Sequence, residues 1–300
     1  MVICAERVRR RYGETVALDG VSLSIEEGTV FVLAGPNGAG KTTLIRALTG
    51  TTRADGTVEL FGRPPSEVSG ERIGLLPQEF APADRLTARE LVAYYGGLYE
   101  DSRDVDAVLE DVGLTGAADT HYENLSGGQK RRACVGTALV NDPELLFLDE
   151  PTTGIDPAGR REMWDLVEGL VDRGRTVVLT THYMEEAEQL ADEVGLLSGG
   201  QLVALGSPAE LLERHGGSDR LVVEVDDEGA AARALERAGY HVLPDERSLA
   251  VAVTPEEIPA VVETLADAGV EYERLTWRQP TLEDVYLATT GTAPTNGVAQ

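Results

Sequence analysis

The sequence predicts an α/β fold built on a parallel sheet, followed by a smaller α+β unit. Two continuous apolar runs, residues 29–34 and 145–148, are typical of strands buried on both faces of such a sheet. Past residue 220 the pattern changes to the order β-α-β-β-α-β, which predicts a ferredoxin-like arrangement. The chain has 300 residues, which is enough for two such units.

The first apolar run leads into a glycine-rich phosphate loop, residues 35–43. The loop fits the pattern G-x-x-x-x-G-K-S/T at every position, and glycines let a backbone wrap around a phosphate with its N–H groups pointing inward. We expect the Lys41 amine to reach the β- and γ-phosphates of a nucleotide and the Thr42 hydroxyl to bind Mg²⁺. The loop residues are Gly35, Pro36, Asn37, Gly38, Ala39, Gly40, Lys41, Thr42 and Thr43.

The second apolar run ends in the acidic pair Asp149 and Glu150. An acid at the end of a buried strand, downstream of a phosphate loop, is the other half of a typical nucleotide site. Asp149 is predicted to hold Mg²⁺, and Glu150 is the candidate general base for an attacking water.

The tetrapeptide SGGQ occurs twice, at residues 126–129 and 198–201. The first SGGQ segment precedes a run with helical spacing, so its backbone N–H groups and the helix dipole could bind an anion. An ordinary N-cap by Ser126 would need no ligand, and the local pattern leaves both interpretations open. The second SGGQ segment lies between two short apolar runs, which predicts the turn of a β-hairpin.

The charge is strongly negative: 52 acids face 26 bases, of which Lys41 and Lys130 are the two lysines. This balance argues against a protein that binds nucleic acid through a basic face. It fits either adaptation to a salt-rich cytoplasm, where short Debye lengths screen self-repulsion, or an acidic partner-binding surface, and we favour the former.

Neither a membrane span nor a secretion signal is expected, so the protein is predicted to be cytoplasmic. The apolar runs are all shorter than the ~18 residues that a span needs, and MVICAERVRRRYG has no apolar region before a cleavage site. The two cysteines, Cys4 and Cys134, have neither metal-ligand spacing nor a pairing pattern and are interpreted as reduced thiols in packed elements.

Further motifs complete a pattern that resembles the ATP-binding subunit of ABC transporters over residues 2–216. In chain order they are Tyr12 in RRYGETVAL, the phosphate loop, Gln78 in LLPQEF, the first SGGQ segment, the pair Asp149 and Glu150, Asp156 in TTGIDP and His182 in VVLTTH. A strand aromatic, a loop glutamine or a core histidine is ordinary by itself, whereas seven features in this order are specific. The resemblance implies an ATPase with ATP and Mg²⁺ as its cofactors.

The resemblance also implies a role for each matching residue. Tyr12 would stack on adenine, while Lys41 and the loop amides would hold phosphates. Mg²⁺ would be served by Thr42, Gln78 and Asp149. Hydrolysis would depend on Glu150, which activates the water, with Gln78 beside it and His182 on the γ-phosphate.

In this family the first SGGQ segment binds ATP held by a second subunit, so two chains sandwich two nucleotides. By resemblance, Ser126, Gly127, Gly128 and Gln129 would close on the opposite ATP, and Asp156 would help the two subunits sense one another. A homodimer is therefore expected.

The expected organisation is an ATPase domain over residues 1–216 and an accessory domain over 220–291. Residues 85–140 are predicted to form a helical subdomain, which in the family docks a membrane partner together with the Gln78 segment. Residues 213–219 (ERHGGSD) are predicted to be a linker, and residues 292–300 a disordered tail. A helix is predicted over 255–268, with its regular part starting at Pro259.

Three functions are compatible with these motifs. PTLEDVYL resembles the end of ATPases from the daunorubicin-resistance-type multidrug exporters, which favours the motor of an exporter bound to the inner face of the cell membrane through integral permease subunits. An importer motor with a regulatory C-terminal domain is the alternative. A soluble ABC ATPase acting on ribosomes or DNA is less favoured, because the chain has one cassette, no long coiled coil and an acidic composition.

Overall fold

The computed structural model describes residues 1–245 and 248–291. The predicted tail, residues 292–300, lies outside the described residues. The strands are β1 (Ile3–Tyr12), β2 (Thr15–Ile25), β3 (Val30–Ala34), β4 (Asp55–Leu60), β5 (Ile73–Leu76), β6 (Leu145–Asp149), β7 (Thr176–Thr181), β8 (Glu193–Ser198), β9 (Gln201–Gly206), β10 (Arg220–Val225), β11 (Val242–Asp245), β12 (Ser248–Ala252) and β13 (Tyr272–Arg278). The helices are α1 (Lys41–Leu48), α2 (Ala88–Gly96), α3 (Val105–Asp111), α4 (Gly127–Thr137), α5 (Pro157–Val171), α6 (Met184–Leu190), α7 (Pro208–His215), α8 (Glu228–Arg237), α9 (Ile258–Asp267) and α10 (Leu282–Thr290).

The main sheet has the strand order β5-β6-β7-β3-β8-β9, and all neighbours are parallel except β8 and β9. Every residue of β3, β6 and β7 is buried, which explains the continuous apolar runs. Because these three strands are adjacent and parallel, their carboxyl ends meet at one edge. The phosphate loop after β3, the acidic pair at the end of β6 and His182 after β7 are therefore brought together.

A second sheet, of order β2-β1-β4, is antiparallel and packs beside α1. The side chains of Leu44 and Ile45 on α1 join the apolar core between this sheet and the main sheet. This packing fixes the helix that follows the phosphate loop, and Tyr12 at the end of β1 pairs with Thr15 of β2.

Helices α2, α3 and α4 lie within the predicted helical subdomain and share one apolar core with the main sheet. Cys134 of α4 is buried in that core, and Cys4 lies partly buried in β1. Both thiols are free, as predicted.

The C-terminal sheet has the order β11-β12-β10-β13 with antiparallel neighbours, and α8 and α9 share its apolar core. This is the ferredoxin-like arrangement predicted from the element order. A single 3₁₀ turn, Pro255–Glu257, precedes α9, which begins at Ile258 rather than at Pro259. Proline is tolerated there because the first turn of a helix leaves its N–H groups unpaired.

The predicted linker is shorter than residues 213–219, because α7 continues to His215. Ser207 and Glu210 form a capping box at the start of α7, and an Arg214–Glu210 contact of 3.5 Å supports its last turn. Residues 216–219 remain as the connection to β10.

Helix α10 packs back onto the main body. Its side chains Leu282, Val285 and Tyr286 are buried in the core of the main sheet, where α10 contacts α6 and α7. Asp284 of α10 also pairs with Arg220 at the start of β10, at 2.7 Å. The described chain therefore ends against the main sheet rather than on the C-terminal sheet. Within residues 1–245 and 248–291, no helix is both long and apolar enough to cross a membrane.

Candidate functional site

The phosphate loop is wedged against neighbouring backbone, and this explains its glycines. A Cβ on Gly35 would lie 2.3 Å from the carbonyl oxygen of Leu197, and a Cβ on Gly40 would lie 2.5 Å from that of Ala17. Gly40 also has φ of 111°, which L-residues rarely adopt. Gly38, at φ of 81°, needs glycine for its backbone conformation. Close packing of neighbouring backbone therefore explains Gly35 and Gly40, and the backbone conformation explains Gly38.

The amine of Lys41 is buried inside this loop. Its Nζ donates hydrogen bonds to the carbonyl oxygens of Gly35 and Pro36, at 2.8 and 3.2 Å, and lies 3.2 Å from Oε1 of Glu150. The side chains of Lys41 and Glu150 are 4% and 5% exposed. Desolvation lowers the pKa of Lys41, and the carboxylate of Glu150 opposes that shift. A cation at this position can exchange these oxygens for phosphate oxygens.

Glu150 is the point on which the predicted residues converge. Its carboxylate accepts hydrogen bonds from Nε2 of Gln78 at 3.2 Å and from the hydroxyl of Thr153 at 3.0 Å. Nδ1 of His182 lies 3.5 Å from Oε2. The backbone of Glu150 is left-handed, with φ of 48°, and its N–H donates to the hydroxyl of Thr180 at 2.9 Å. A buried carboxylate held from several sides is suited to accept a proton from a bound water.

Burial of His182 lowers its pKa and so favours the neutral imidazole. Its side chain is 11% exposed, and desolvation lowers its pKa, while the neighbouring carboxylate of Glu150 opposes the shift. A neutral imidazole at this edge can donate one hydrogen bond to a phosphate oxygen and accept another.

The oxygens of Thr42, Gln78 and Asp149 fit Mg²⁺ by their chemistry. The Thr42 hydroxyl lies 3.4 Å from Oε1 of Gln78, and Asp149 is 2% exposed, with Oδ1 accepting from Thr180 at 2.6 Å. Across the described ranges no three His, Cys, Asp or Glu side chains form a metal cluster. Proteins commonly bind Mg²⁺ through a few side-chain oxygens together with the oxygens of neighbouring phosphates.

Tyr12, the predicted adenine-stacking residue, is 43% exposed at the end of β1. The guanidinium of Arg10 lies 4.5 Å from its ring centroid, and this cation–π contact orients the ring. An exposed, oriented aromatic ring can stack on a base.

The first SGGQ segment opens α4 with a capping box. The Ser126 hydroxyl accepts from the N–H of Gln129 at 3.2 Å, and Oε1 of Gln129 accepts from the N–H of Ser126 at 3.0 Å. A Cβ on Gly128 would lie 3.2 Å from Cα of Gly159, so glycine lets α4 and α5 approach closely. Gly127 and Gly128 therefore present backbone N–H groups at a helix N-terminus.

Asp156 caps the neighbouring helix α5, where its Oδ1 accepts from the N–H of Gly159 at 2.7 Å. Because Gly159 touches Gly128, Asp156 lies next to the first SGGQ segment.

The second SGGQ segment is the turn of the β8–β9 hairpin, as predicted. Gly199 and Gly200 have φ of 54° and 79°, and Ser198 pairs with Gln201 in the ladder. The structure adds a contact that the pattern did not indicate: the N–H of Gly200 donates to the carbonyl oxygen of Ala39 at 2.9 Å. The hairpin turn therefore contacts the phosphate loop and stabilises its conformation.

Sequence reasoning missed three residues that shape the site: Thr153, Thr180 and Arg131. The first two bind Glu150 and Asp149 as described above, and Arg131 of α4 donates to the carbonyl oxygens of Asp149, Glu150 and Pro151. The run of three basic residues at the start of α4, Lys130 to Arg132, was the available signal for Arg131. The threonines carry no signal in the sequence alone.

Known proteins give a consistent comparison. The profile of the family described as ABC transporter matches residues 18–153. The daunorubicin resistance ATP-binding protein DrrA3 of Streptomyces coeruleorubidus is 40% identical, over 96% of each chain. The Nod factor export ATP-binding protein I of Burkholderia orbicola is 37% identical over 95% of each chain. The linearmycin resistance ATP-binding protein LnrL of Bacillus subtilis is 36% identical, over 96% of this chain and 97% of its own.

Among solved structures, the ADP conformation of MJ1267, an ATP-binding cassette of an ABC transporter, matches with a TM-score of 0.64 and 26% identity. The match covers 71% of this chain and 94% of that one. A nucleotide-free ATP-binding cassette from an ABC transporter matches with a TM-score of 0.61 and 27% identity, over 69% and 91% of the two chains. The predicted family is thus confirmed: this chain is an ATPase and belongs to the ATP-binding subunits of ABC transporters, with relatives in the drug-resistance exporter branch.

Proposed function

We propose that the chain is the ATP-hydrolysing motor of an exporter, in which ATP closes a homodimer, hydrolysis releases it, and the cycle drives a separate membrane permease. The observation that carries the hydrolytic part is the convergence of Lys41, Gln78, Thr153 and His182 on the buried carboxylate of Glu150. Residues drawn from four separate parts of the chain meet at one acid that is suited to be a base.

In the proposed mechanism, Tyr12 stacks on the adenine, and the phosphate loop (Gly35, Pro36, Asn37, Gly38, Ala39, Gly40, Lys41, Thr42 and Thr43) surrounds the phosphates. Thr42, Gln78 and Asp149 would hold Mg²⁺, which supplies charge neutralisation on the phosphates when it is bound. Glu150 takes a proton from the attacking water, and His182 donates a hydrogen bond to the γ-phosphate.

The dimer is proposed from the first SGGQ segment. Ser126, Gly127, Gly128 and Gln129 form a helix N-terminus whose N–H groups are suited to an anion. Their place in the family assigns that anion to the ATP of a second subunit, with Asp156 beside them at the shared boundary. Loss of the γ-phosphate would then remove a contact between subunits, as in other γ-phosphate switches.

Export is supported by the names of the relatives, which describe daunorubicin resistance, Nod factor export and linearmycin resistance. An importer motor, with the C-terminal sheet sensing a regulatory ligand, is the alternative. Limited proteolysis with first cuts in residues 216–219 would support the proposed boundaries, 1–216 for the ATPase domain and 220–291 for an accessory domain whose last helix, α10, packs on the ATPase domain.

A permease docking surface is proposed beside the Gln78 segment. The tilted rings of Phe80 and Tyr95 pack with centroids 5.5 Å apart, and Tyr94 packs edge-on against Tyr95 at 5.4 Å. The side chains of Tyr94 and Leu98 on and after α2 are 61% and 66% exposed. An exposed aromatic and apolar patch of this kind is suited to a protein partner.

The decisive test of hydrolysis is Glu150→Gln. Without the carboxylate, ATPase turnover should fall at least ~100-fold, because a general base contributes that much or more, while ATP binding persists. Size-exclusion chromatography with ATP should show the variant trapped as a dimer. Lys41→Ala is the matched variant and should instead weaken nucleotide binding itself. Wild-type turnover in Glu150→Gln would show that another group is the base.

The transport role is tested by pulling the chain down from detergent-solubilised membranes in molar KCl. A stoichiometric polytopic membrane protein, identified by mass spectrometry, would support the motor role and the location on the inner face of the membrane. Ribosomal or chromosomal proteins without a membrane partner would contradict it. The same salt tests the adaptation proposed for a net charge of −26: the free energy of unfolding should rise between dilute buffer and molar KCl.

A further inference from the structure

Arg131 connects the first SGGQ segment to the backbone of the catalytic acid. It lies on α4, five residues after the cap Ser126, and its guanidinium makes three hydrogen bonds to consecutive residues. Nε donates to the carbonyl oxygen of Pro151 at 2.9 Å, and Nη2 donates to those of Asp149 and Glu150, at 2.9 and 3.0 Å. Desolvation lowers the pKa of Arg131, as expected for a cation held inside the protein.

The target of these bonds is a strained piece of backbone. Glu150 has φ of 48°, a left-handed conformation that is unfavourable for a residue with a side chain. From one side the Thr180 hydroxyl accepts the N–H of Glu150, and from the other Arg131 binds its carbonyl oxygen. The orientation of the Glu150 side chain therefore depends on β7 and on α4 together.

We propose that Arg131 is a positioning residue that couples the two ATP sites of the dimer. This inference rests on the proposed function, in which the first SGGQ segment closes on the ATP of the second subunit while Glu150 serves the ATP of its own. Because Ser126 and Arg131 belong to one helix, a shift of the helix N-terminus toward a γ-phosphate moves the guanidinium. The guanidinium in turn shifts the backbone of Glu150. Binding of ATP at one site therefore sets the position of the catalytic base at the other site.

The fork of arginine is needed for this role. A planar guanidinium can bind three carbonyl oxygens in a row, whereas a lysine amine offers a single point of contact on a flexible stem.

The next residue, Arg132, provides a matched control on the same helix. Its Nη1 donates to the carbonyl oxygens of Val112 and Gly113, at 3.0 and 3.1 Å, and Nη2 pairs with Glu162 at 3.0 Å. Arg132 is thus an arginine with carbonyl partners, as Arg131 is, but it binds the two residues that follow α3 and a side chain of α5 instead of the end of β6. General damage to α4 should appear in the Arg131 and Arg132 variants alike. Loss of coupling between the two ATP sites should appear only in the Arg131 variant.

The experiment compares Arg131→Gln and Arg132→Gln in the full chain, with ATP titrations of the ATPase rate and a fluorescent ATP analogue to measure binding. Arg131→Gln should lower kcat about tenfold or more and reduce the Hill coefficient to 1, with analogue affinity within about twofold of wild type. Arg132→Gln should keep the wild-type Hill coefficient. Arg131→Lys should recover part of kcat, and it also serves if Arg131→Gln does not fold.

Two results would overturn the inference. One is an unchanged kcat and Hill coefficient in Arg131→Gln. The other is an equal fall of kcat in both variants with cooperativity intact, which would show a structural role only. Failure of the proposed function is recognised separately: wild type would then hydrolyse ATP with a Hill coefficient of 1, and Glu150→Gln would form no ATP-dependent dimer.

Discussion

The two SGGQ segments have the same four letters and opposite structures. In the first, Ser126 and Gln129 exchange hydrogen bonds at the start of α4, and the glycines leave a helix N-terminus open. In the second, Gly199 and Gly200 take positive φ in a hairpin turn, and the N–H of Gly200 is already used by Ala39. Gly128 of the first allows the close approach of α4 and α5, and the glycines of the second serve the turn conformation of the backbone.

The difference shows that flanking residues decide what a short motif becomes. A helix follows the first copy, so its serine becomes an N-cap, whereas two pairing strands enclose the second, so its glycines become a turn. Substitutions at matched positions of the two copies should therefore have opposite consequences for activity and for stability.

The largest difference is expected for Gly128→Asp against Gly199→Asp. At Gly128 the new carboxylate would repel the γ-phosphate, and its Cβ would press on Gly159, so ATPase turnover should fall ~100-fold or more. At Gly199 a Cβ would meet no atom of the described residues within 4 Å, and aspartate tolerates left-handed backbone. Steady-state ATPase assays measure both variants. Equal ATPase activity in the two variants would contradict different roles for Gly128 and Gly199.

The next difference concerns stability, with Gly200→Ala against Gly127→Ala. At φ of 79° a Cβ on residue 200 would lie 2.8 Å from the carbonyl oxygen of Ala17, so the free energy of unfolding should fall by about 2 kcal/mol. At the start of α4 a Cβ on residue 127 would first meet Gly154, at 3.9 Å, and the change should stay within about 0.5 kcal/mol. Urea unfolding followed by circular dichroism would decide. A larger loss in Gly127→Ala would reverse the assignment of roles.

The smallest difference is expected for the two serines. Ser126→Ala removes the N-cap of α4 and should cost about 1 kcal/mol in the free energy of unfolding. Ser198→Ala, at a strand end where the backbone pairs with Gln201, should change it by less than about 0.5 kcal/mol. The same urea titrations measure this pair. Equal losses would mean that the hydroxyl of Ser198 also caps backbone in solution.

Much of the fold followed from the sequence because its signals are local. Apolar runs of residues 29–34 and 145–148 became β3 and β6, and the element order after residue 220 became the ferredoxin-like sheet. The misplaced features were boundaries, such as the end of α7 at His215, where a capping box and a favourable charge pair carried the helix into a polar stretch.

The site was predicted as a set of residues but not as a geometry. Motif order named Gln78, Glu150 and His182, whereas the contact of Thr153 depends on the conformation of the loop after β6, and the contacts of Arg131 depend on how α4 packs beside β6. The Arg131 contacts join a side chain to backbone carbonyls, which all residues share, so no pattern of letters marks them. The roles of the site residues in catalysis stay predictions.

The scarcity of lysine has a practical consequence. The two lysines follow the two glycine-rich segments that are proposed to face nucleotides: Lys41 in the phosphate loop, 4% exposed, and Lys130 on α4, whose amine lies 5.7 Å from the ring centroid of Tyr122. Every other strongly basic side chain is arginine. An amine-reactive reagent would therefore modify the chain terminus and Lys130 and leave the buried amine of Lys41 unlabelled, so a peptide mass map would read the occupancy of the first SGGQ segment from the Lys130 peptide.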